Sequence, residues 1–164
     1  MLFRSQVAKA SGAAAVYAVD SVEERLAMAE RFGAIPIHLT EQDPRAEIKR
    51  ATGGRGLDVV VDAVGHPEAL DMAIRLARKA GRLSATGVYA ERCEVHMGLV
   101  WIKSLRIESG QANVIAHVDP VMELLAAGIL DPSPIVTHHM GLDDAVEGYA
   151  IYDRREALKI VLTP

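Results

Sequence analysis

Asp20 closes the apolar run "AAVYAVD", residues 14 to 20. A carboxylate at the carboxyl end of a buried strand can accept hydrogen bonds from both vicinal hydroxyls of a ribose, and it would repel a 2′-phosphate. Arg25, one helical turn further on, is placed either to approach such a 2′-phosphate or to pair with Asp20. The competing role for Asp20 is local, since an acid also caps well the helix that "SVEE" opens. Two further stretches set small residues and a glycine just past an apolar run. They are "VDAVGH", 61–66, with Val64, Gly65 and His66, and "TGVYA", 86–90, with Gly87, Val88 and Tyr89. Ligands of open α/β sheets bind at that strand edge. Either stretch alone would pass for an ordinary strand-to-helix turn. In register after Asp20, the two make a row along one sheet edge and read as a nucleotide site, with the acid favouring NAD over NADP.

Other reactive residue types are poorly spaced for catalysis. Of the six histidines, only His138 and His139 are adjacent, and neighbouring residues on a strand point to opposite faces and cannot chelate one ion together. There is no H-E-x-x-H, no G-x-S-x-G and no C-x-x-C. Cys93, between Arg92 and Glu94, could be an activated thiol, but a single cysteine more often packs as a small apolar residue.

The elements that must position these residues alternate. The spacing predicts a strand at 14–20 and a helix at "SVEERLAMAERFGA", with Ser21 as N-cap and Glu24 completing a capping box. A strand "IPIHL", a helix around "PRAEIKRAT", the turn "GGRG" and the strand "LDVVVDAVG" come next. A helix from Pro67 to Ala80 and a strand in "GRLSATGVY" continue the rhythm. Beyond Tyr89 the expected elements are a helix "MGLVWIKS", a strand "LRIESG" and a helix "VDPVMELLAAG" stopped by Gly128. The stretch "PIVTHHMGL", a helix at about 143–153 and a closing strand "LKIVLTP" complete the chain. Strands alternating with helices imply βαβ units, a parallel sheet and right-handed crossovers. The expected class is α/β with a doubly wound, Rossmann-like sheet.

Composition narrows the partners. The 164 residues, half of them apolar, suit one domain with a sizeable core. A formal charge of -4, from interspersed charges without a basic stripe, argues against nucleic acid. One cysteine excludes an intrachain disulfide and a multi-thiolate zinc site, and fits a reducing cytoplasm. No apolar run reaches the roughly 18 to 20 residues of a membrane span.

Taken in order, "VYAVDSVEERLAMAERFGA", "DVVVDAVGHPEAL", "ARKAGRLSATGVYA" and "EALKIVLTP" resemble the nucleotide-binding half and C-terminal tail of zinc-dependent alcohol dehydrogenases of the medium-chain dehydrogenase/reductase family. The likeness runs from about Gln6 to Pro164. It implies that Asp20 holds the adenosine ribose, that Val64, Gly65 and His66 border the adenosine side, and that Gly87, Val88 and Tyr89 lie by the nicotinamide. The strand "LRIESG" would pass the carboxamide, and Lys159 would approach the pyrophosphate. Complete members pass a hydride from an alcohol to NAD while zinc acts as a Lewis acid.

The resemblance also implies what this chain lacks. The zinc-binding catalytic domain has no counterpart, and neither do the first Rossmann strand and its G-x-G-x-x-G turn, because "QVAKASGA" matches the end of the helix which that turn opens. The expected organisation is a non-native leader at 1–5, then a partial dinucleotide-binding domain with the C-terminal tail at 6–164. The expected function is the cofactor-binding portion of an NAD-dependent alcohol or polyol dehydrogenase, inactive alone, with weak or absent NAD binding and no catalytic or metal ligands of its own. Two alternatives stay open. One is a nucleotide-binding or dimerisation module, joined to a second copy through the edge strand "LRIESG" or to a chain that supplies the catalytic domain. The other is an S-adenosylmethionine-dependent methyltransferase fragment, against which "EALKIVLTP" and "TGVYA" speak.

Overall fold

The computed structural model describes residues 2–164. Helices and strands alternate through most of it: α1 (Leu2–Ala10), β1 (Tyr17–Asp20), α2 (Glu23–Arg31), β2 (Ile35–His38), α3 (Pro44–Ala51), β3 (Leu57–Asp62), α4 (Pro67–Leu76) and β4 (Ala77–Ala85). After these come α5 (Met97–Lys103), β5 (Arg106–Ser109), α6 (Val114–Ala126), β6 (His138–Gly141), α7 (Ala145–Asp153) and β7 (Ile160–Thr163). No helix among the described residues is long and apolar enough to cross a membrane.

The chain folds as two compact units. One comprises the residues up to Ala18, Glu23–Pro36 and Ala116–Pro164, and the other Val19–Val22 with Ile37–Ile115. In the first, Ala18, Ala29, Phe32 and Ala34 form the buried centre, with Val16, Met28, Ile135 and Leu158 packed against it. In the second, Leu70, Ala73 and Ile74 lie on one face of α4 at the i, i+3, i+4 spacing of an amphipathic helix and pack on Leu83 and Ala85 of β4. Ile74 and Leu83 are each 1% exposed, and burying one such side chain stabilises by about 1.5–3 kcal/mol.

The strands form three separate ladders, β1-β2, β3-β4-β5 and β6-β7. β3, β4 and β5 are parallel, with Val60 opposite Leu83 and Leu83 opposite Ile107. β6 and β7 are also parallel, with His138 opposite Ile160. Along β1 and β2 the bonds Ile35 N–H to Val16 O and Leu39 N–H to Asp20 O advance together, as in a parallel pair. Within each ladder the adjacencies, β2 beside β1 and β3-β4-β5 in succession, are those of places 3-2 and 4-5-6 in the doubly wound order 3-2-1-4-5-6. β1 and β3 share no ladder, and β3 ends its own sheet with Val59 and Val61 exposed. The apolar run of "LDVVVDAVG" thus lies on an edge strand.

Four boundaries differ from the sequence reading. Ser21 is not the cap of α2; the Asp20 carboxylate accepts the Ser21 and Val22 N–H groups, and the helix starts at Glu23. α4 ends at Leu76 and not at Ala80, because "ARKA", built of good helix formers, is drawn into pairing with β3. That pairing slips from Leu57 opposite Ala77 to Val59 opposite Arg82, with Ala80 in a left-handed conformation (φ 56°). α6 begins at Val114, four residues before the expected start, and Asn113 immediately before it is of a type favoured at helix starts. The stretch at 134–142 splits into a short 3-10 turn, Ser133–Ile135, and β6. By contrast α3 follows its sequence signals closely. Asp43 accepts the Arg45 N–H at 2.9 Å, Pro44 stands at the first helical position, and Gly53 and Gly54 follow the helix with positive φ.

Candidate functional site

Two strands of the second unit, with the last two residues of β1, deliver the candidate residues. β1 ends on Asp20, β3 on Asp62 and β4 on Ala85, so the loops at 63–66 and 86–89 leave the carboxyl ends of parallel neighbours. The two loops close on each other backbone to backbone. Gly65 has φ 79°, and a Cβ there would lie 2.7 Å from the Val88 nitrogen. A Cβ on Gly87 would lie 2.7 Å from the Val64 carbonyl carbon. Real Cβ atoms do not approach backbone so closely, so glycine is required at both places for the loops to meet.

Asp62 holds this pair of loops together. It is 4% exposed, and its Oδ1 accepts the Val64 N–H at 2.8 Å and the Gly65 N–H at 3.4 Å. Its Oδ2 accepts the hydroxyl proton of Tyr89. Its main-chain oxygen takes the N–H groups of Thr86 and Gly87, at 2.8 and 3.0 Å, and the Thr86 hydroxyl at 3.0 Å. Burial, and then the Asp62 carboxylate beside it, raise the Tyr89 hydroxyl well above the usual phenol range. Asp62 lies within "VDAVGH" but is not among the residues expected there from the sequence. The available signal was an acid inside an otherwise apolar strand, since a buried carboxylate must find donors.

The predicted residues divide between the two units. Asp20, Val64, Gly65, His66, Gly87, Val88 and Tyr89 all belong to the second. Val64 and Val88 are 59% and 84% exposed, apolar surface that the fold leaves uncovered on these loops, and His66 is exposed at the start of α4 with an extended backbone. Asp20 is half-buried, with Oδ1 committed to the Ser21 and Val22 N–H groups at 2.8 and 3.1 Å. Tyr89 is half-buried and turned to Asp62. Arg25, half-buried in α2, and Lys159, exposed just before β7, fall in the first unit. The Lys159 carbonyl accepts the Thr137 N–H at 2.9 Å, which ties the start of β7 to β6.

The remaining candidates stay apart. Cys93 is half-buried, packs against the α4 cluster, and its Sγ lies 3.8 Å from the Glu91 carbonyl oxygen. His138 is half-buried and His139 exposed on β6. Among the described residues no three His, Cys, Asp or Glu side chains gather as a metal site requires.

Comparison with known proteins matches residues 2–127 to the zinc-binding dehydrogenase family. L-threonine 3-dehydrogenase of Bacillus velezensis is 31% identical over 96% of this chain and 46% of its own length. Sorbitol dehydrogenase of Bacillus subtilis is 33% identical over 96% of this chain and 45% of its own length. Among solved structures, an alcohol dehydrogenase of Thermus sp. ATN1 superposes with a TM-score of 0.94 at 38% identity, covering 99% of this chain and 47% of that one. The chain thus spans about half the length of the curated relatives it matches.

Proposed function

Since the chain belongs to the zinc-binding dehydrogenase family, we propose that it is the cofactor-binding portion of an NAD-dependent, zinc-type alcohol or polyol dehydrogenase. The observation that carries this reading is that Asp20, the Val64–His66 loop and the Gly87–Tyr89 loop each come at or after a strand's carboxyl end and fall in one compact unit. In this reading Asp20 takes the ribose hydroxyls of the adenosine half, and its carboxylate disfavours a 2′-phosphate. Exposed Val64 and Val88 offer apolar surface to the flat rings, and the glycine pair lets the two loops close on each other. Bound NAD would supply the hydride acceptor. The described residues do not fit zinc, since no three His, Cys, Asp or Glu side chains gather among them. The alcohol and the catalytic ligands belong to the part of the relatives' length this chain does not span.

Titration calorimetry tests the reading. Saturable NAD binding that exceeds NADP and S-adenosylmethionine, and that Asp20→Ala weakens about tenfold, is the expected result. Tighter binding of S-adenosylmethionine would transfer the chain to a methyltransferase reading. With zinc, NAD and a panel of alcohols, the chain alone should form no NADH, and clear NADH production would refute its incompetence.

A second reading rests on β3, which ends its sheet with Val59 and Val61 exposed. An uncovered strand edge of this kind is a template for a strand from another chain, so the active form would be a complemented assembly. Static light scattering of the chain, alone and mixed with an N-terminal half from a relative, separates the two readings.

A further inference from the structure

The second unit contains a cavity of about 980 Å³ at the end of the sheet opposite the Asp62 loops, where β3 and β4 begin. Its size is at the upper end of small-molecule sites. Part of its wall is apolar, from Ile48 of α3 and Leu76 of α4, both buried. The rest is cationic. Helix α3 supplies Arg45 and Lys49, and the turn after it supplies Arg55. The end of α4 and the start of β4 add Arg75, Arg78 and Lys79, and α5 adds Lys103.

Carboxylates balance only some of these charges. Asp58 pairs with Arg55 and, at 2.7 Å, with Arg78, while Asp71 takes Arg75 at 2.6 Å. Both cause the expected depression of carboxyl pKa, from the arginine hydrogen bonds first. Asp43, the one acid on the wall, accepts the Arg45 backbone N–H as the cap of α3. The Lys103 ammonium spends its protons on the carbonyls of Ile74, Arg75 and Ala77, at 2.9, 2.8 and 2.8 Å. It therefore adds charge behind the wall and no donor to a ligand. Burial, then repulsion from Arg45 and Arg75, lower its pKa, so these cations lie close enough to oppose one another. Arg45, Lys49 and Lys79 are exposed, and among the described residues no ion pair to a carboxylate forms at any of them.

We propose that this cavity binds a small, multiply charged phosphate compound, gripped by Arg45, Lys49 and Lys79 with Lys103 as a fixed charge behind them. A concave pocket with an apolar wall and converging cations suits a compact polyanion, whose charge density repays the repulsion among the cations. The overall charge of -4 and the grouping of seven cations around one concave wall, with no basic stripe along the chain, set this apart from a surface that tracks a nucleic-acid backbone. The site is independent of the proposed nucleotide edge, since it lies at the opposite strand ends.

The test uses the intact chain and inorganic tripolyphosphate, with orthophosphate, adenosine triphosphate and a ten-nucleotide single-stranded RNA as further arms. Tripolyphosphate should raise the melting temperature, titrate saturably, and bind at least tenfold more tightly than orthophosphate. The double variant Lys49→Gln/Lys79→Gln should weaken it about tenfold, whereas Lys9→Gln/Arg31→Gln, with the same charge change in the other unit, should leave it within twofold. Binding of adenosine triphosphate as well would add a nucleoside to the accepted class. In the unaltered chain, bound tripolyphosphate should shield Lys49 and Lys79 from acetylation read by mass spectrometry, a measurement that needs no variant to fold. Failure to saturate below millimolar concentrations, equal loss in both double variants, absent shielding, or preference for the RNA would each overturn the proposal.

Discussion

The hydroxyl of Tyr89 donates to the carboxylate of Asp62, 27 residues earlier in the chain and at the tip of the neighbouring strand. The other oxygen of that carboxylate holds the Val64 and Gly65 N–H groups, so one buried side chain fixes both loops of the proposed cofactor edge. Tyr89→Phe removes a hydrogen bond to a charged acceptor and should destabilise the chain by about 1.5–3 kcal/mol in urea denaturation. Asp62→Ala should cost more than Tyr89→Phe, because three donors lose their acceptor at once.

The same contact carries an alkaline pH dependence. Tyr89 has a raised pKa in the folded chain, whereas an unfolded tyrosine ionises near pH 10. Above about pH 10 the unfolded chain therefore holds fewer protons than the folded one, and stability falls as pH rises. Below that pH the contribution is fully present. Urea midpoints between pH 8.5 and 11.5 should show this slope in the native chain and a shallower one in Tyr89→Phe.

Gly65→Ala and Gly87→Ala should each destabilise by about 3 kcal/mol or more, since the new methyl meets backbone of the opposite loop and backbone cannot swing aside. Gly54→Ala is the control. Its φ is also positive, at 83°, but nothing lies within 4 Å of its Cβ position, so it should cost only about 1 kcal/mol. Thermal melts of the three variants would show whether the loop contact, and not backbone conformation alone, sets the difference.

Lys103 caps α4 from a distance, with its ammonium on three carbonyls at the helix end. Lys103→Met keeps the length of the stem and removes all three bonds, so the end of α4 should fray and stability drop by about 1–3 kcal/mol. Amide exchange at Ala77 should quicken, since its N–H bonds the Ala73 carbonyl in that last turn.

Pro120 lies seven residues into α6, where it lacks the N–H that would reach the Ala116 carbonyl. Pro120→Ala should stabilise the helix by about 1–2 kcal/mol, after allowing for the freer unfolded chain. Helical circular dichroism and melting temperature should both rise.

Most of the alternation was readable from local chemistry. The Asp43-Pro44 start and Thr52-Gly53-Gly54 stop mark α3, and Pro67 marks the start of α4, because caps and fixed dihedrals act within a few residues. The end of α4 was not readable in the same way. "ARKA" is helical by propensity, and only a neighbouring strand with free edge groups turns it into β4. Asp20 illustrates both cases, since its type and place announced a role while its engagement with the Ser21 and Val22 N–H groups needed coordinates.

By itself, the sequence determined the α/β class, the family resemblance and the set of candidate residues at strand ends, because periodicity, caps and turn chemistry are local and repeat in order along the chain. Only the tertiary structure decided that Asp62 and Tyr89 lock two loops together, that β3 is an edge, and that cations spread from Arg45 to Lys103 share one cavity. The physical reason is distance along the chain. Partners that far apart meet only when strands pair and helices pack, and no local preference records which ones will meet.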